Sequence, residues 1–490
     1  MSVKKQVVSG VKWSTISQVG RQAMQLVTIA ILARFLTPDD YGLVGMASIV
    51  IGFAMLFSDL GTASTVIQRQ NISEPFLSSI FWFNAIIGCL ACVTIYLSAP
   101  LIAGFYQEPR LTLLMQVLSF NFLVAGGGIV QKALLERKLE FYSLAKIEII
   151  ASVVGSITGI SAAVAGFGPW SLVYQTLVVT IVTTTLLWLF AAWQPKRVLQ
   201  WSELRTVYSY SLNLTGFNIF NYFARNADYL LIGRFLGSQA LGYYTLAYRV
   251  MLYPLQNISS VLSRVLFPSL SLIQNDQVRF RSMYLRATGI VALVAFPLML
   301  GLMGLADTLI LVAFGVQWLP VASVLTILAP VGMLQSVGTL VGIIYQAMGR
   351  TDWMFRWGVG SGLLVILAFA IGLQWGILGV AAAYALIVAV ISYPSFAIPF
   401  KLINLPMRDL LKVLWRPLIS SGLMLVVVMG LKLTLVSQIS ELWVLLITVP
   451  IGVLIYAVSS LLINHEQFYE ALEITGVSLW IARYQQRTQI

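Results

Sequence analysis

About fourteen apolar segments of roughly 20–27 residues follow one another from 10–35 to 441–463, each long enough to cross a hydrocarbon core as an α-helix. Inside lipid every backbone amide must find its partner within the protein, so such segments have to be helices or a closed barrel. Ten-residue runs of alternating polarity are absent, which excludes the barrel. Composition agrees: of 490 residues 59% are hydrophobic and 10% charged, with a mean hydropathy of +0.88. A soluble globule carries about 25% charged residues. The chain reads as an all-α integral membrane protein with about fourteen transmembrane helices.

The net charge of +12 does not imply nucleic acid, because the basic residues are sorted by side. With the N-terminus inside, Lys4, Lys5, Lys12, Lys132, Arg137, Lys138, Lys196, Arg197, Arg279, Arg281, Arg408 and Lys412 share one face of the membrane. That arrangement predicts cytoplasmic N- and C-termini. The longest polar passages, 132–146, 194–206 and 271–286, fall on the same side. The opening "MSVKKQVVSGVKWSTISQ" lacks a compact apolar core and a small-residue cleavage site, so no removable signal is expected.

Two stretches repeat. "ARFLTPDDYGLVGMA" (33–47) aligns without a gap on "GRFLGSQALGYYTLA" (233–247), so Arg34, Phe35, Leu36, Gly42 and Ala47 recur 200 residues later. "AGFGPWSLV" likewise resembles "LQWGILGVA". An even number of spans between copies preserves orientation, predicting two six-helix lobes related by a pseudo-twofold along the membrane normal. The expected divisions are 1–200, 201–400, and a pair of appended helices with a tail over 401–490.

Much chemistry is missing. A phosphate loop needs a Gly-Lys pair, and none occurs. The glycines of "AGGGIV" (125–130) and "GVGSG" (358–362) fall inside spans and suit close helix packing. Asp39 and Asp40 suit a helix start better than acid–base catalysis: Thr37 is an N-cap, Pro38 takes the first helical position and the acids fill the first turn. Cys89 and Cys92 form a CxxC mid-helix and are expected to be buried, inert thiols. His465 suits a solvated tail. No large extramembrane loop presents carboxylates for glycan transfer, so an enzyme is not expected, nor a metal or cofactor.

What remains is charge inside helices. In the first span Ser14, Gln18, Arg21, Gln25 and Thr28 share one face. In the seventh, 207–233, Asn213, Asn221, Arg225 and Asp228 form a comparable face with Phe217 in register, and Asp59 stands in the second. A charge at the bilayer centre costs at least about 2.5–3.5 kcal/mol, so these faces should meet the bundle interior or a watered cavity. Arg225 and Asp228, three apart, can pair with each other. Arg21 has no acid at that spacing, leaving carbonyls, Asp59, Asp228 or an anion as partners. Gln18, Arg21, Gln25, Asp59, Asn221, Arg225 and Asp228 are the candidate substrate-binding residues. Arg34 and Arg234 either snorkel to the interface or form an outer gate. Trp13, Tyr222, Phe223, Tyr244 and Tyr248 offer stacking faces for sugars or anchors at the interface.

The pieces "VKWS", "ARFLTPDDYGL", "SDLG" and "IQR", followed by "ALLERKLEF", "GFGPWSLV", "YSYSLN" and "AFGVQWLP", carry a resemblance over at least the first ten spans. The chain resembles the Wzx-type polysaccharide exporters, the O-antigen and colanic-acid flippases of the multidrug/oligosaccharidyl-lipid/polysaccharide superfamily. The resemblance implies two lobes around a central cavity in the bacterial inner membrane. It also implies alternating access and an undecaprenyl-diphosphate-linked oligosaccharide as cargo, with cationic cavity residues receiving the diphosphate. Arg21 and Arg225 inherit that role by helix position only. Membrane lipids, a polysaccharide polymerase and chain-length machinery are the implied partners, and coupling to H+ or Na+ stays open. A multidrug-type exporter and a glycan polymerase or ligase are the alternatives. The first would favour an acidic cavity and the second a large external loop.

The charge sorting makes a topological prediction. Introduced cysteines within 105–110 and 237–241 should react with an impermeant reagent on intact cells, and those within 132–140 and 274–286 should not. Labelling in both groups would overturn the orientation.

Overall fold

A computed structural model describes residues 3–57, 62–69, 72–200, 221–465 and 467. Among these the regular structure is helical, with no strand. The chain divides into two compact units, Met1–Gly242 and Tyr243–Ile490.

The first unit contains α1 (Val3–Phe35), α2 (Pro38–Met55), α3 (Thr62–Gln68), α4 (Glu74–Tyr106), α5 (Leu111–Gly126), α6 (Ile129–Arg137), α7 (Phe141–Val164), α8 (Trp170–Ala191) and α9 (Ala227–Phe235). α10 (Gly237–Leu272) begins in this unit and continues into the second. α4 packs on α5, α7 on α8, and α1 on α7. The second unit holds α11 (Gln277–Gly304), α12 (Ala306–Ala313), α13 (Leu319–Gly338), α14 (Val341–Ala347), α15 (Thr351–Gly372), α16 (Gly376–Phe400), α17 (Met407–Leu435) and α18 (Glu441–Ile463). α11 packs on both α13 and α17, α15 on α16, and α17 on α18. One of its cores gathers Phe280, Tyr284, Val291, Ile344, Tyr345 and Phe400.

Helix ends follow the local chemistry. Thr37 accepts from the Asp40 amide while the Asp40 side chain accepts from the Thr37 amide, a complete capping box with Pro38 in the first turn. Ser73 caps α4, and Gln107 closes it in the left-handed region at φ 58°. Side chains on the outer faces are apolar, for example Leu90, Val93, Leu97 and Leu101 of α4. Such surfaces suit lipid tails, not water.

Eight helical stretches among the described residues are long and apolar enough to span a membrane, or nine if the bent pair Leu111–Gly126 and Ile129–Arg137 is one span. One of the eight, Thr351–Ile403, is 53 residues long. At 1.5 Å per residue it would reach about 80 Å, far beyond a bilayer. It is in fact the hairpin of α15 and α16, which pack together across the turn at Leu373–Trp375 and Gly376 (φ 67°).

Four expectations need correction. The segment expected as one helix through 233 is broken: residues 221–225 are helical, Asn226 leaves helical geometry (φ −117°, ψ 12°), and α9 starts at Ala227. The 125–130 glycines lie at a break, where α5 and α6 meet at 41°, although Gly126 does pack tightly on the Asn84 carbonyl. Gly358 and Gly360, the first two glycines of "GVGSG", have open space around them and take no part in close packing. Cys92 is buried against the Ser119 hydroxyl at 3.5 Å, but Cys89 is exposed on the apolar outer face of α4.

Among the described residues of the first unit, the tightest approach at a glycine joins the two repeats. A Cβ added at Gly42 would lie 1.6 Å from the Ser238 carbonyl oxygen, and one at Gly242 would lie 1.8 Å from that of Pro38. The contact is reciprocal under the 200-residue offset: Gly42 matches Gly242, and Pro38 matches Ser238. Only glycine permits the two backbones to approach so closely. Ser238 is buried by this contact, so within 237–241 the exposed Gln239 is the better labelling site.

Gly42→Val or Gly242→Val should therefore cost most of the detergent-stable folded protein, because overpacking against backbone has no side chain to displace. Gly360→Ala should be neutral or stabilising, by up to about 1 kcal/mol. Fluorescence-detected size exclusion of the three variants checks this; a monodisperse Gly42→Val protein at wild-type yield would contradict the crossing.

Candidate substrate-binding faces

The polar face of α1 meets α7. Ser17 donates to Glu148 Oε2 at 2.6 Å, and Arg21 Nη2 approaches the same oxygen at 3.4 Å. Two turns along, the Thr28 hydroxyl lies 2.8 Å from Ser156 Oγ and donates to the Met24 carbonyl at 2.7 Å. Towards the start of α1, the Trp13 and Tyr142 rings lie 4.5 Å apart, and the Lys146 ammonium sits 4.3 Å above Tyr142. The partner of Arg21 is therefore Glu148, an acid the sequence reading passed over. It had a signal: Glu148 is a carboxylate inside an apolar span, the same anomaly that singled out Arg21. The Arg21 side chain is 45% exposed and that of Glu148 27%, so the pair is accessible. Gln18 is half-buried and Gln25 exposed.

Around Asn226 the helix break sends Arg225 and Asp228 to different surroundings. Arg225 is exposed, whereas Asp228 is 2% exposed and accepts from the Tyr229 amide at 2.9 Å. Among the described residues no ion pair joins the two. Asn226 stabilises the preceding turn by donating from Nδ2 to the Tyr222 carbonyl at 2.8 Å. Tyr222 in turn donates to the Ile49 carbonyl at 2.7 Å, and Phe53 contacts both Tyr222 and Phe223. Asn221 is half-buried on the same short helix. The aromatic residues offered for stacking thus have ring partners of their own, as do Tyr244 and Tyr248, stacked at 6.0 Å in the second unit. Asp59, Asn213 and Phe217 lie outside the described residues, and so does the side chain of Ser14.

At the glycine crossing the acids of "TPDD" do separate work. Asp40 closes the capping box, while Asp39 accepts from the Ser238 hydroxyl with Oδ1 and from Arg110 Nη1 at 2.8 Å with Oδ2. Arg110 also reaches Glu108, Nε to Oε1, at 2.7 Å. Burial works to raise the Asp39 pKa, but the hydrogen bonds from Arg110 and Ser238 and the Arg110 charge outweigh it, leaving the carboxyl below its ordinary range. Glu108 and then Asp39 hold Arg110 firmly protonated. Neither Arg110 nor Ser238 stood out in the sequence, since both look like ordinary polar residues at helix ends. Arg34 and Arg234 occupy the last turns of α1 and α9, as the repeat requires. Arg34 is exposed, and Arg234 lies 5.6 Å over the Phe105 ring.

The second unit contributes an apolar cavity of about 520 Å³, bordered by α11, α17 and α18 through residues such as Pro297, Gly301, Met424, Val428, Gly452 and Tyr456. Lys432 of α17 is pinned beside it, bonded to the Asp307 carboxylate and, at 3.2 Å, to the Gly304 carbonyl. Among the described residues no group of three His, Cys, Asp or Glu side chains gathers where it could hold a metal ion.

Comparison with known proteins follows the same lines. The sequence pattern of a family described as polysaccharide biosynthesis proteins matches residues 31–323. The teichuronic acid biosynthesis protein TuaB of Bacillus subtilis is 33% identical over 79% of this chain and 80% of its own length. The lipopolysaccharide biosynthesis protein WzxC of Escherichia coli is 31% identical over 90% of each chain. Among solved structures, the lipid II flippase MurJ superposes with a TM-score of 0.74, covering 94% of this chain and 99% of its own, at 17% identity. That likeness establishes the fold.

The Asp39 interactions have a definite pH signature. A carboxyl whose native pKa is depressed adds stability above its unfolded value, near pH 4, and loses it as pH falls through the lower native value. The contribution of Asp39 should be constant from about pH 8 to 5 and vanish only below about pH 4. Asp39→Asn should lower the melting temperature at pH 7 and flatten that acid loss. A wild-type profile that falls between pH 7 and 5 and is flattened by the substitution would contradict the assignment.

Proposed function

The chain belongs to the polysaccharide biosynthesis protein family, and on that footing we propose that it flips an undecaprenyl-diphosphate-linked oligosaccharide between membrane leaflets. The proposed direction is from the cytoplasmic to the periplasmic leaflet of the bacterial inner membrane, by alternating access, for surface polysaccharide or lipopolysaccharide assembly. Fourteen spans, two six-helix lobes over 1–200 and 201–400, the appended helices of 401–490 and cytoplasmic termini complete the reading. Polymerase and chain-length proteins are its proposed partners, and the protein acts as a carrier, without covalent chemistry on the glycan.

The observation that carries the proposal is the pair of exposed guanidiniums, Arg21 and Arg225, in helical segments that also expose apolar side chains such as Leu26, Val27 and Phe223. A diphosphate and a sugar entering hydrocarbon lose hydration. An arginine fork replaces part of it with bidentate bonds to phosphate oxygens, each charge-assisted bond contributing about 1.5–3 kcal/mol. Gln18, Gln25 and Asn221 supply neutral donors and acceptors for sugar hydroxyls, with Asp59 and Asp228 as the acids of the same proposed site. The apolar cavity beside α17 and α18 suits a prenyl chain while the headgroup turns over. At the opposite end of α1, the glycine crossing with Asp39, Ser238 and Arg110 acts as the outer closure, flanked by Arg34 and Arg234.

Deleting the gene should leave lipid-linked repeat units on the cytoplasmic leaflet and abolish the surface polymer. Normal polymer in a strain lacking all related transporters would refute the function, and lost drug resistance with intact glycan would favour a multidrug exporter. Arg225→Ala should reduce flipping on the order of ten- to a hundred-fold in folded protein, and Arg225→Lys should recover part of it. Because the helix break separates the two charges, Arg225→Ala with Asp228→Ala should stay inactive. A double variant near wild type would assign Arg225 to charge balance.

A further inference from the structure

We propose that Glu148 is a built-in competitor for the Arg21 guanidinium, holding the anion site in an exchangeable state so that a diphosphate can both bind and leave. The inference rests on the reading of Arg21 as a diphosphate receiver and adds a residue that nothing in the family resemblance assigns.

The geometry is asymmetric. Glu148 Oε2 is fixed by the Ser17 hydroxyl at 2.6 Å, while Arg21 Nη2 stands off at 3.4 Å. A strong guanidinium–carboxylate bond closes to about 2.7–2.9 Å and is often bidentate. Here the carboxylate is tethered and the guanidinium only abuts it, with nearly half of its side chain exposed. Ser17 itself is 1% exposed, so the tether is buried and the open side of the pair is the arginine.

Depth explains why the acid is needed. Glu148 lies seven residues into α7, about 10 Å from its start at 1.5 Å per residue. An uncompensated guanidinium at that depth is costly, and it would bind any phosphate tightly enough to trap it. A resident carboxylate lowers the energy of the empty carrier. A diphosphate, with more charge and more acceptor oxygens, displaces it, and Glu148 returns to Arg21 when the diphosphate departs. Product release limits many turnover cycles, and a tethered competitor quickens it. The one cation on α7, Lys146, sits over the Tyr142 ring.

The test uses purified full-length protein in nanodiscs, with inorganic pyrophosphate and a short-chain prenyl diphosphate as probes in parallel titrations. Glu148→Gln preserves shape and can still accept from Ser17 while removing the charge. It should tighten binding of both probes about ten-fold, the weight of one charged neighbour at close range, and slow flipping in reconstituted vesicles. Arg21→Gln should weaken binding, and the double variant should match Arg21→Gln, because the acid acts only through that arginine. Thr28→Val breaks the Ser156 contact in the same helix seam without touching charge and should leave affinity unchanged. Unchanged or weaker binding by Glu148→Gln, or tighter binding by Thr28→Val, would overturn the competitor while leaving Arg21 as receiver. Full affinity in Arg21→Gln would overturn the receiver reading itself.

Discussion

Two helix starts cross so closely that neither can carry a side chain at the contact. Gly42 lies against the Ser238 carbonyl and Gly242 against that of Pro38, and the rest of that end of the first unit is arranged around the approach. The capping box of Thr37 and Asp40 sets the direction of α2, which leaves Asp39 free to bind Ser238 on one side and Arg110 on the other. A small-residue contact of this kind gains its energy from backbone packing and dipoles, since lipid supplies no hydrophobic push between helices. It is also reversible in principle: nothing covalent or deeply interdigitated has to come apart.

The polar groups inside the spans are organised by a second rule, that a charge in hydrocarbon must be paired or hydrated. Along α1 the solutions alternate between both kinds. Thr28 is satisfied within protein by Met24 and Ser156, whereas Arg21 keeps an exposed side chain beside a tethered acid. Polar residues of the first kind are closed off, and those of the second stay half open. The same contrast separates buried Asp228 from exposed Arg225 across the break at Asn226.

The break itself shows why spacing misleads in membrane helices. Three residues apart in a continuous helix, Arg225 and Asp228 would share a face. Asn226 is a poor helix former whose amide side chain bonds back to Tyr222. Its backbone departs from helical geometry, and the two charges lose their common face. No periodicity count registers this, because the sequence pattern on each side of Asn226 suits a helix.

Sequence by itself determined the solvent, the helical class, the start of α2 and the repeat. Long apolar runs leave helix as the means of satisfying a lipid-embedded backbone, and Thr37, Pro38 and Asp40 specify a cap through bonds made within four residues. The resemblance over "ARFLTPDDYGL" and its companions likewise led to the right family, since those stretches encode local structure that relatives share. Only the tertiary structure decided which polar residues meet. Glu148 reaches Ser17 and Arg21 across more than a hundred positions, and Asp39 reaches Ser238 across 199. It also decided that Cys89 faces outward while Cys92 does not, and that Gly358 and Gly360 have open space around them. Contacts between helices depend on rotation about each axis and on where a helix breaks. A single residue such as Asn226 resets both for everything that follows.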